Sequence, residues 1–487
     1  VIESLKYKIL QQFGFAPTQE QGKALDTFVS FLTDRDPQAV MILRGSAGTG
    51  KTSLSGAIVR TLLQIRQKVM LLAPTGRAAK VFSLGSGAPA YTIHRRIYRE
   101  KAFAGVDGQF SLNDNLYTDT LFMVDEASMI ANMGLGGTTF GSGCLLDDLV
   151  KFVYQGHNDR LLLIGDKAQL PPVGEEESPA LSASVMEGYG LKVYECDLNE
   201  VLRQSQSSGI LYNATLIRQM ITHDAVTGLP LIRFKGFADI VMMPGAELVE
   251  SLGDSYHHVG MDETMVITRS NKRANIYNNG IRNMVLDREE ELSSGDMLMI
   301  VKNNYFWTEK EKKESGEGSA GAVPAFLANG DRAKVLRVSN YIELYGFRFA
   351  TLLLQLPDYD DYEMQVTGML DTLQSEAPAL THEQQEELFR QVEEDYQHFV
   401  PLKADRMKSI RQDAYFNALQ IKYAYAVTCH KAQGGQWAHV YVDQGYMTDD
   451  MLTPDYIHWL YTAFTRATDK LFLVNWPKEQ TCEPTDL

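Results

Sequence analysis

The stretch GSAGTGKT at 45–52 has the residue types and the spacing to hold a nucleoside triphosphate. In the pattern G-x-x-x-x-G-K-T, Gly45, Gly48 and Gly50, with Ser46, Ala47 and Thr49 between them, let the backbone turn its N–H groups toward phosphate oxygens. Lys51 then reaches the β and γ phosphates, the Thr52 hydroxyl reaches Mg²⁺, and Ser53 completes the set as the chain enters a helix. A second stretch, LFMVDEAS, ends an apolar run in Asp125 and Glu126. Hydrolysis of a triphosphate needs an acidic partner for the metal and a group that orients or deprotonates the attacking water. Two adjacent carboxylates supply both, Asp125 holding Mg²⁺ and Glu126 acting as base. A third stretch, GDKAQLPPV at 165–173, offers Gln169, whose neutral amide can donate to and accept from the γ-phosphate region. Alone, Gly-Asp is a strand-to-turn signal, and its weight comes from the other two stretches.

VTCHKAQGGQ at 427–436 raises a different question. Cys429 beside His430 suggests a metal site, whereas the Gly-Gly turn suggests phosphate handling. Residues 423–429 read as a strand, on which successive side chains point to opposite faces, so these two do not converge on one ion. The other cysteines, Cys144, Cys196 and Cys482, are remote, which fits neither a metal knuckle nor a disulfide framework, and reduced thiols are expected.

These residues need elements to position them. The runs 39–43, 69–73, 121–124 and 161–164 are short, continuous and bounded by Gly, Pro or Asp, as strands of a parallel sheet buried on both faces are. Leu54, Ile58, Leu62 and Ile65 hold helical spacing between them. Residues 1–200 therefore read as a doubly wound α/β domain, and the runs 265–268, 423–427, 440–442 and 471–474 as a second. An insertion of different texture splits the second set. It holds the polar loop TEKEKKESGEGSAG (308–321), the β-rich RAKVLRV and FRFATLLLQL, and a helix announced by the Thr381/Gln384 capping pair, with Leu388, Val392 and Tyr396 following at helical spacing.

Taken in order, PTQEQ (17–21), GSAGTGKT, APTGRAAK (73–80), TIHR (92–95), DEAS (125–128), GDKAQLPPV, LNEVLRQ (198–204), VTCHKAQGGQ and YTAFTRA (461–467) resemble the motif set of superfamily 1 DNA helicases of the RecD and Pif type. The Gln-Leu-Pro-Pro of the third motif resembles this branch rather than the UvrD branch. The resemblance implies two RecA-like P-loop NTPase domains with parallel sheets, carrying a small inserted Src-homology-three-like β-barrel. It puts the first domain at 1–200, with a short strand-separating wedge hairpin near 103–117. The second occupies 201–302 and 416–487, and the barrel, with an acidic helical inset, 303–415. It implies ATP and Mg²⁺ as cofactors, Gln21 as reader of the adenine, and Arg203 and Arg466 as arginine fingers. Gln433 and Gly434 fall on the nucleotide side of the cleft, and Pro74, Thr75, Thr92, His94, Arg95, Thr428 and His430 on single-stranded DNA. The expected activity is ATP-driven 5′ to 3′ translocation by a monomer on single-stranded and tailed duplex DNA, with duplex unwinding; the polarity rests on the resemblance alone. Replication or recombination proteins are candidate partners. Two other readings stay open: a subunit of a recombination nuclease complex, active mainly with partners, and a nucleotide-switched DNA-binding scaffold. NMGLGGTTFGSG (132–143) departs from the family pattern, and its glycines predict a flexible loop to which no role attaches.

With 487 residues, 44% of them hydrophobic, the chain is long enough for two or three domains. A formal net charge of −16 argues against a polyanion partner, yet the acidic residues cluster at 174–178, 287–292, 358–363 and 383–396, away from the basic run HRRIYREK at 94–101. No run reaches the ~18 apolar residues of a membrane span, and VIESLKYKIL has no signal-peptide succession, so a cytoplasmic protein is expected. A first residue of Val rather than Met predicts a trimmed N-terminus.

Overall fold

The computed structural model describes residues 2–100, 110–134, 140–202, 206–222, 228–316, 323–324 and 326–482. The chain divides into two compact units: Val1–Met242 with Ala432–Gln436 and Tyr446–Leu487, and Met243–Lys431 with Trp437–Gly445.

In the first unit, the strands before the midpoint of the chain are β1 (Ala39–Gly45), β2 (Lys68–Ala73), β3 (Ala90–Thr92), β4 (Tyr98–Glu100), β5 (Phe110–Leu112), β6 (Thr120–Val124), β7 (Arg160–Gly165) and β8 (Lys192–Leu198). Six of them form a parallel sheet in the order β3-β2-β6-β7-β1-β8. The expected apolar runs all fall within β1, β2, β6 and β7. Alternate residues of β1 feed opposite faces: Met41 and Leu43 join a core with Leu25, Phe28 and Ile58, while Val40 and Ile42 join one with Ile93, Leu149 and Phe152. Each such buried side chain contributes about 1.5–3 kcal/mol. No continuous apolar run announces β8, an edge strand whose residues are mostly exposed or half-buried.

After residue 90 the chain forms β3, then the short helix Ile93–Ile97, then β4, which pairs antiparallel with β5. The hairpin expected near 103–117 thus has its strands at 98–100 and 110–112. Residues 101–109 lie outside the described residues, as do 135–139 of the Gly-rich stretch and Arg203.

The remaining strands are β9 (Ile240–Met243), β10 (Thr264–Thr268), β11 (Met297–Ile300), β12 (Arg332–Leu344), β13 (Phe347–Leu356), β14 (Tyr362–Met369), β15 (Leu419–Tyr423), β16 (Ala426–Thr428), β17 (Trp437–Val442) and β18 (Ala467–Val474). β10 pairs in parallel with β16 and β17 within a sheet of order β16-β10-β17-β18-β9. β11 through β15 close into a barrel, recruiting strands on both sides of 303–415. The fold is therefore two RecA-like parallel sheets with a small inserted β-barrel. β12 and β13 are joined through Tyr345 and Gly346, both at positive φ (56° and 77°), as a tight hairpin turn requires.

Two sequence expectations fail in this part of the chain. Residues 308–315 are not a polar loop but belong to the helix Phe306–Ser315, where Trp307 is buried and Lys313 and Lys310 pair with Glu309 and Glu314 at 3.9 and 4.0 Å, while 317–321 lie outside the described residues. Residues 423–429 are not one strand either: β15 ends at Tyr423, β16 at Thr428, and Cys429 opens the helical turn Cys429–Ala432. The barrel's acidic inset follows expectation, with the Thr381/Gln384 capping box opening the helix His382–Gln397. Leu388 and Val392 are buried against Phe349 and Phe416, which leaves Glu386, Glu387 and Glu394 in solvent.

Candidate functional site

β1 lies between β7 and β8, and β6 borders β7, so the carboxyl ends of β1, β6 and β7 stand side by side. Open α/β sheets bind ligands at such ends. The chain leaves β1 at Gly45 and turns through Gly48 and Gly50, whose φ angles of 77° and 79° only glycine adopts without strain. Gly50 caps the helix Lys51–Gln64 without a side-chain hydrogen bond, so the first N–H groups of that helix face outward as an anion cradle. A Cβ at Gly45 would stand 3.1 Å from Lys51 Cδ, so the missing side chain is what lets Lys51 fold back over the loop. Thr49 braces the turn by donating from its hydroxyl to Ser46 O at 2.7 Å, while Thr52 and Ser53 are exposed. Gln21 ties the loop from behind: its Oε1 accepts from the Thr18 N–H at 3.0 Å and its Nε2 donates to Thr49 O at 3.0 Å. The adenine-reading role implied for Gln21 thus meets an amide already engaged at both ends.

At the end of β6, Asp125 Oδ1 accepts from the Glu126 N–H at 2.8 Å, and Glu126 sits at φ 53°, a left-handed conformation that costs a non-glycine residue about 1 kcal/mol or more. Burial, and then the neighbouring Glu126 carboxylate, push Asp125 up to about 6 against the pull of Lys51. Glu126 Oε2 and Gln169 Oε1 are buried and accept no hydrogen bond among the described residues. Surplus negative charge and orphaned acceptors at the end of the sheet are what a Mg²⁺ ion carried by phosphates, with its waters, would satisfy. Among the described residues no group of three or more His, Cys, Asp or Glu is placed to hold a metal ion. Cys429 is buried and His430 exposed, so the pair that first suggested a metal site diverges.

Sequence reasoning missed Asp166 and Tyr461. The helix Pro454–Phe464 is stapled to the third motif: His458 Nδ1 donates to Ala168 O at 2.7 Å, the Leu170 N–H donates to Thr462 Oγ1 at 2.8 Å, and the Tyr461 hydroxyl donates to Asp166. The same hydroxyl accepts from the Ala47 N–H of the phosphate loop at 3.0 Å. Burial raises the Asp166 carboxyl and the Tyr461 phenol above their ordinary values. The signal lay in the Gly-Asp and Tyr-Thr dipeptides of motifs read for Gln169 and Arg466 instead. Tyr461→Phe keeps the ring and removes only this bridge. It is expected to lower ATP turnover about 10-fold while leaving the KM for ATP within about 2-fold; a loss confined to KM would make the tyrosine a nucleotide-binding group instead.

Arg466 lies just past the end of the helix Pro454–Phe464, after its C-cap Thr465, and is 2% exposed. Its Nε donates to Thr462 O, and its guanidinium also donates to Gly435 O at 2.8 Å and to Thr465 Oγ1 at 3.3 Å. Gln433 Nε2 donates to Leu170 O at 2.7 Å, and a guanidinium nitrogen of Arg77 to Gln436 O at 2.8 Å. Gly434, expected on the nucleotide side, lies against Thr75: a Cβ on it would be 3.2 Å from Thr75 Oγ1 and 3.3 Å from Met129 Sδ. Segment Ala432–Gln436 therefore bridges the third motif and the strand end that carries Pro74 and Thr75.

The DNA candidates fall in separate places. Thr75 and Thr92 are helix N-caps, accepting from the Ala78 and Arg95 N–H groups. His94 is hemmed in by Tyr98 and Phe140, and burial pushes it down to about 4, so at neutral pH its ring is neutral. Arg95 and Arg96 lie over the Tyr91 ring at 5.5 and 3.7 Å. Thr428 ends β16 in the second unit, and His430 stands exposed on the turn after it.

Residues 17–228 match the AAA domain family, and residues 423–474 match the UvrD-like helicase C-terminal domain. The chain is 30% identical over 157 residues to the ATP-dependent RecD2 DNA helicase of Deinococcus radiodurans, an overlap covering 32% of this chain and 18% of that protein. It is 25% identical over 267 residues to the ATP-dependent DNA helicase dda of Enterobacteria phage T4, covering 53% and 55% respectively. The chain thus spans about half of the phage protein's length and a small part of the bacterial one. Among solved structures it is similar to the Pif1 helicase from Bacteroides in complex with ADP-AlF3 and ssDNA, at 13% identity and a TM-score of 0.44 over 97% of this chain and 95% of that one. Among the described residues no helix is long and apolar enough to cross a membrane. The AAA-domain and UvrD-like helicase C-terminal matches follow one another along the chain in the order in which the motifs fall, and the phosphate loop, acidic pair and third motif meet at the carboxyl ends of adjacent strands, in agreement with the resemblance to superfamily 1 helicases of the Pif/RecD type.

Proposed function

We propose that this chain is an ATP-driven motor that moves 5′ to 3′ along single-stranded DNA and unwinds duplex DNA. The observation that carries the reading is the network running from the Ala47 N–H through Tyr461 and Asp166 to Leu170 and Gln433, because it ties the phosphate loop to segment Ala432–Gln436 and so to Thr75. Occupancy of the loop is thereby linked mechanically to residues proposed to hold DNA. The relatives named as ATP-dependent DNA helicases support the substrate; polarity rests on resemblance to the RecD and Pif branch.

In this mechanism the phosphate-loop amides and Lys51 bind the β and γ phosphates, and Glu126 takes a proton from the attacking water. Thr52 and Asp125 would hold Mg²⁺, which would supply charge neutralisation when bound with the nucleotide. Gln169 registers the γ phosphate, and Arg466 and Arg203 stabilise the charge that develops on it. Pro74, Thr75, Thr92, Arg95, Thr428 and His430 hold the strand, with His94 as a neutral donor. The divisions 1–200, 201–302, 303–415 and 416–487 are kept except that the barrel extends to β11 and β15 on either side of 303–415, and the motor is taken as a monomer.

The test is ATP hydrolysis with and without single-stranded DNA, followed by unwinding of duplexes bearing a 5′ or a 3′ tail. Strong stimulation with opening from the 5′ tail only is expected. No stimulation would favour the partner-dependent subunit or the nucleotide switch, and opening from the 3′ tail only would overturn the polarity.

A further inference from the structure

The Gly-rich stretch that the sequence leaves without a role ends against the β4–β5 hairpin. Phe140 makes an isolated parallel bridge to Phe110 of β5, and the Gly141 N–H donates to Phe110 O at 2.8 Å. The Phe140 ring stacks on Phe110 at 4.8 Å and meets Tyr98 of β4 at 5.1 Å and His94 at 4.7 Å. Behind the rings, Asp148 of the helix Leu145–Gln155 is 4% exposed. Its carboxylate accepts from the Tyr98 hydroxyl at 2.6 Å, the Ser142 N–H at 3.1 Å and the Ser142 hydroxyl at 2.8 Å. Gly141 has φ 47°, and a Cβ there would fall 2.2 Å from Asp148 Oδ2 and 2.8 Å from Tyr98 Cε1. Glycine is what lets carboxylate, ring and backbone approach so closely.

A ribbon of two three-residue strands has no independent stability in water. Among the described residues, this one is fixed at its base by a backbone bridge between Phe110 and Phe140, the packing of the Phe140 ring on Phe110 and Tyr98, and the Tyr98 hydroxyl's bond to buried Asp148, so that residues 140–148 supply a partner to each strand. We propose that Phe140, Gly141 and Ser142, clamped by Asp148, form a brace that holds the β4–β5 hairpin rigid while it separates DNA strands. The proposal rests on the unwinding activity proposed above. A hairpin that yields lets the base pairs at the junction close again behind each step, so the motor advances without opening duplex. The brace residues are positioning residues, and their loss uncouples unwinding from ATP turnover.

The experiment compares wild type with Phe140→Ala, Tyr98→Phe and Phe140→Tyr in three assays: ATPase stimulated by single-stranded DNA, translocation on single strands, and unwinding of AT-rich and GC-rich tailed duplexes. For Phe140→Ala, ATPase and translocation are expected within about 2-fold of wild type, with unwinding down about 10-fold or more and the GC-rich duplex hit harder. Tyr98→Phe, which removes one hydroxyl, should move in the same direction by less, and Phe140→Tyr should restore unwinding. A parallel loss of ATPase and unwinding, or an unchanged ratio between GC-rich and AT-rich rates, would overturn the brace. If wild type itself opens neither tailed duplex, the motor reading fails first and the brace falls with it.

Discussion

Glu126→Gln is expected to lower DNA-stimulated ATP turnover by about 10²–10⁴-fold, the usual contribution of a positioned general base. Glutamine matches glutamate in shape but cannot take up the proton of the attacking water. The substitution should spare binding, for a reason visible in the site. Asp125 is pushed up to about 6 first by burial and then by the Glu126 charge beside it. Removing that charge returns Asp125 toward its ordinary range, so the carboxylate proposed to hold Mg²⁺ is ionised at least as fully as before. Nucleotide and single-strand affinities, measured by fluorescence titration, should therefore stay within about 3-fold while phosphate release collapses. Turnover within about 3-fold of wild type would remove Glu126 as base and leave Asp166, the other buried carboxyl near Lys51, as the group to test.

The phosphate loop was legible in the sequence because its chemistry is local: glycines, lysine and threonine act through the backbone geometry of eight consecutive residues. The sheet strands were legible because burial on both faces forces continuous apolar runs, as in β6 and β7. β8 escaped because an edge strand need not be apolar, and the helix Phe306–Ser315 because Lys and Glu at i, i+4 support a helix while reading as a polar loop. Cys429 and His430 were rightly separated, but by a helical turn after β16 rather than by strand alternation. What no local pattern could carry is the meeting of distant residues. Tyr461 reaches Ala47 across 414 positions of sequence and Asp166 across 295, and Phe140 reaches Phe110 through a stretch whose glycines suggested only flexibility. Such contacts depend on the order of strands in the sheet, which spacing does not encode.

Arg466→Ala is expected to cut turnover by about 10³-fold or more, the range of arginine fingers in phosphoryl transfer, while nucleotide affinity changes by less than about 10-fold. The resting geometry gives this prediction its particular form. The guanidinium is buried, and its hydrogen bonds go to Thr462 O, Gly435 O and Thr465 Oγ1, all uncharged acceptors. A cation kept on neutral acceptors retains its charge for an anionic oxygen, and the attraction is strong where water is excluded. The same bonds also support segment Ala432–Gln436, so alanine removes structure as well as charge, at an expected cost of about 1–3 kcal/mol in unfolding. Arg466→Lys separates the two roles, because lysine keeps the charge and loses the fixed fork of donors. If Arg466→Lys melts within a few degrees of wild type yet turns over ATP almost as slowly as alanine, the geometry of the guanidinium is what the reaction uses. Wild-type turnover in Arg466→Lys would reduce Arg466 to a structural cation and shift the finger role to Arg203 alone.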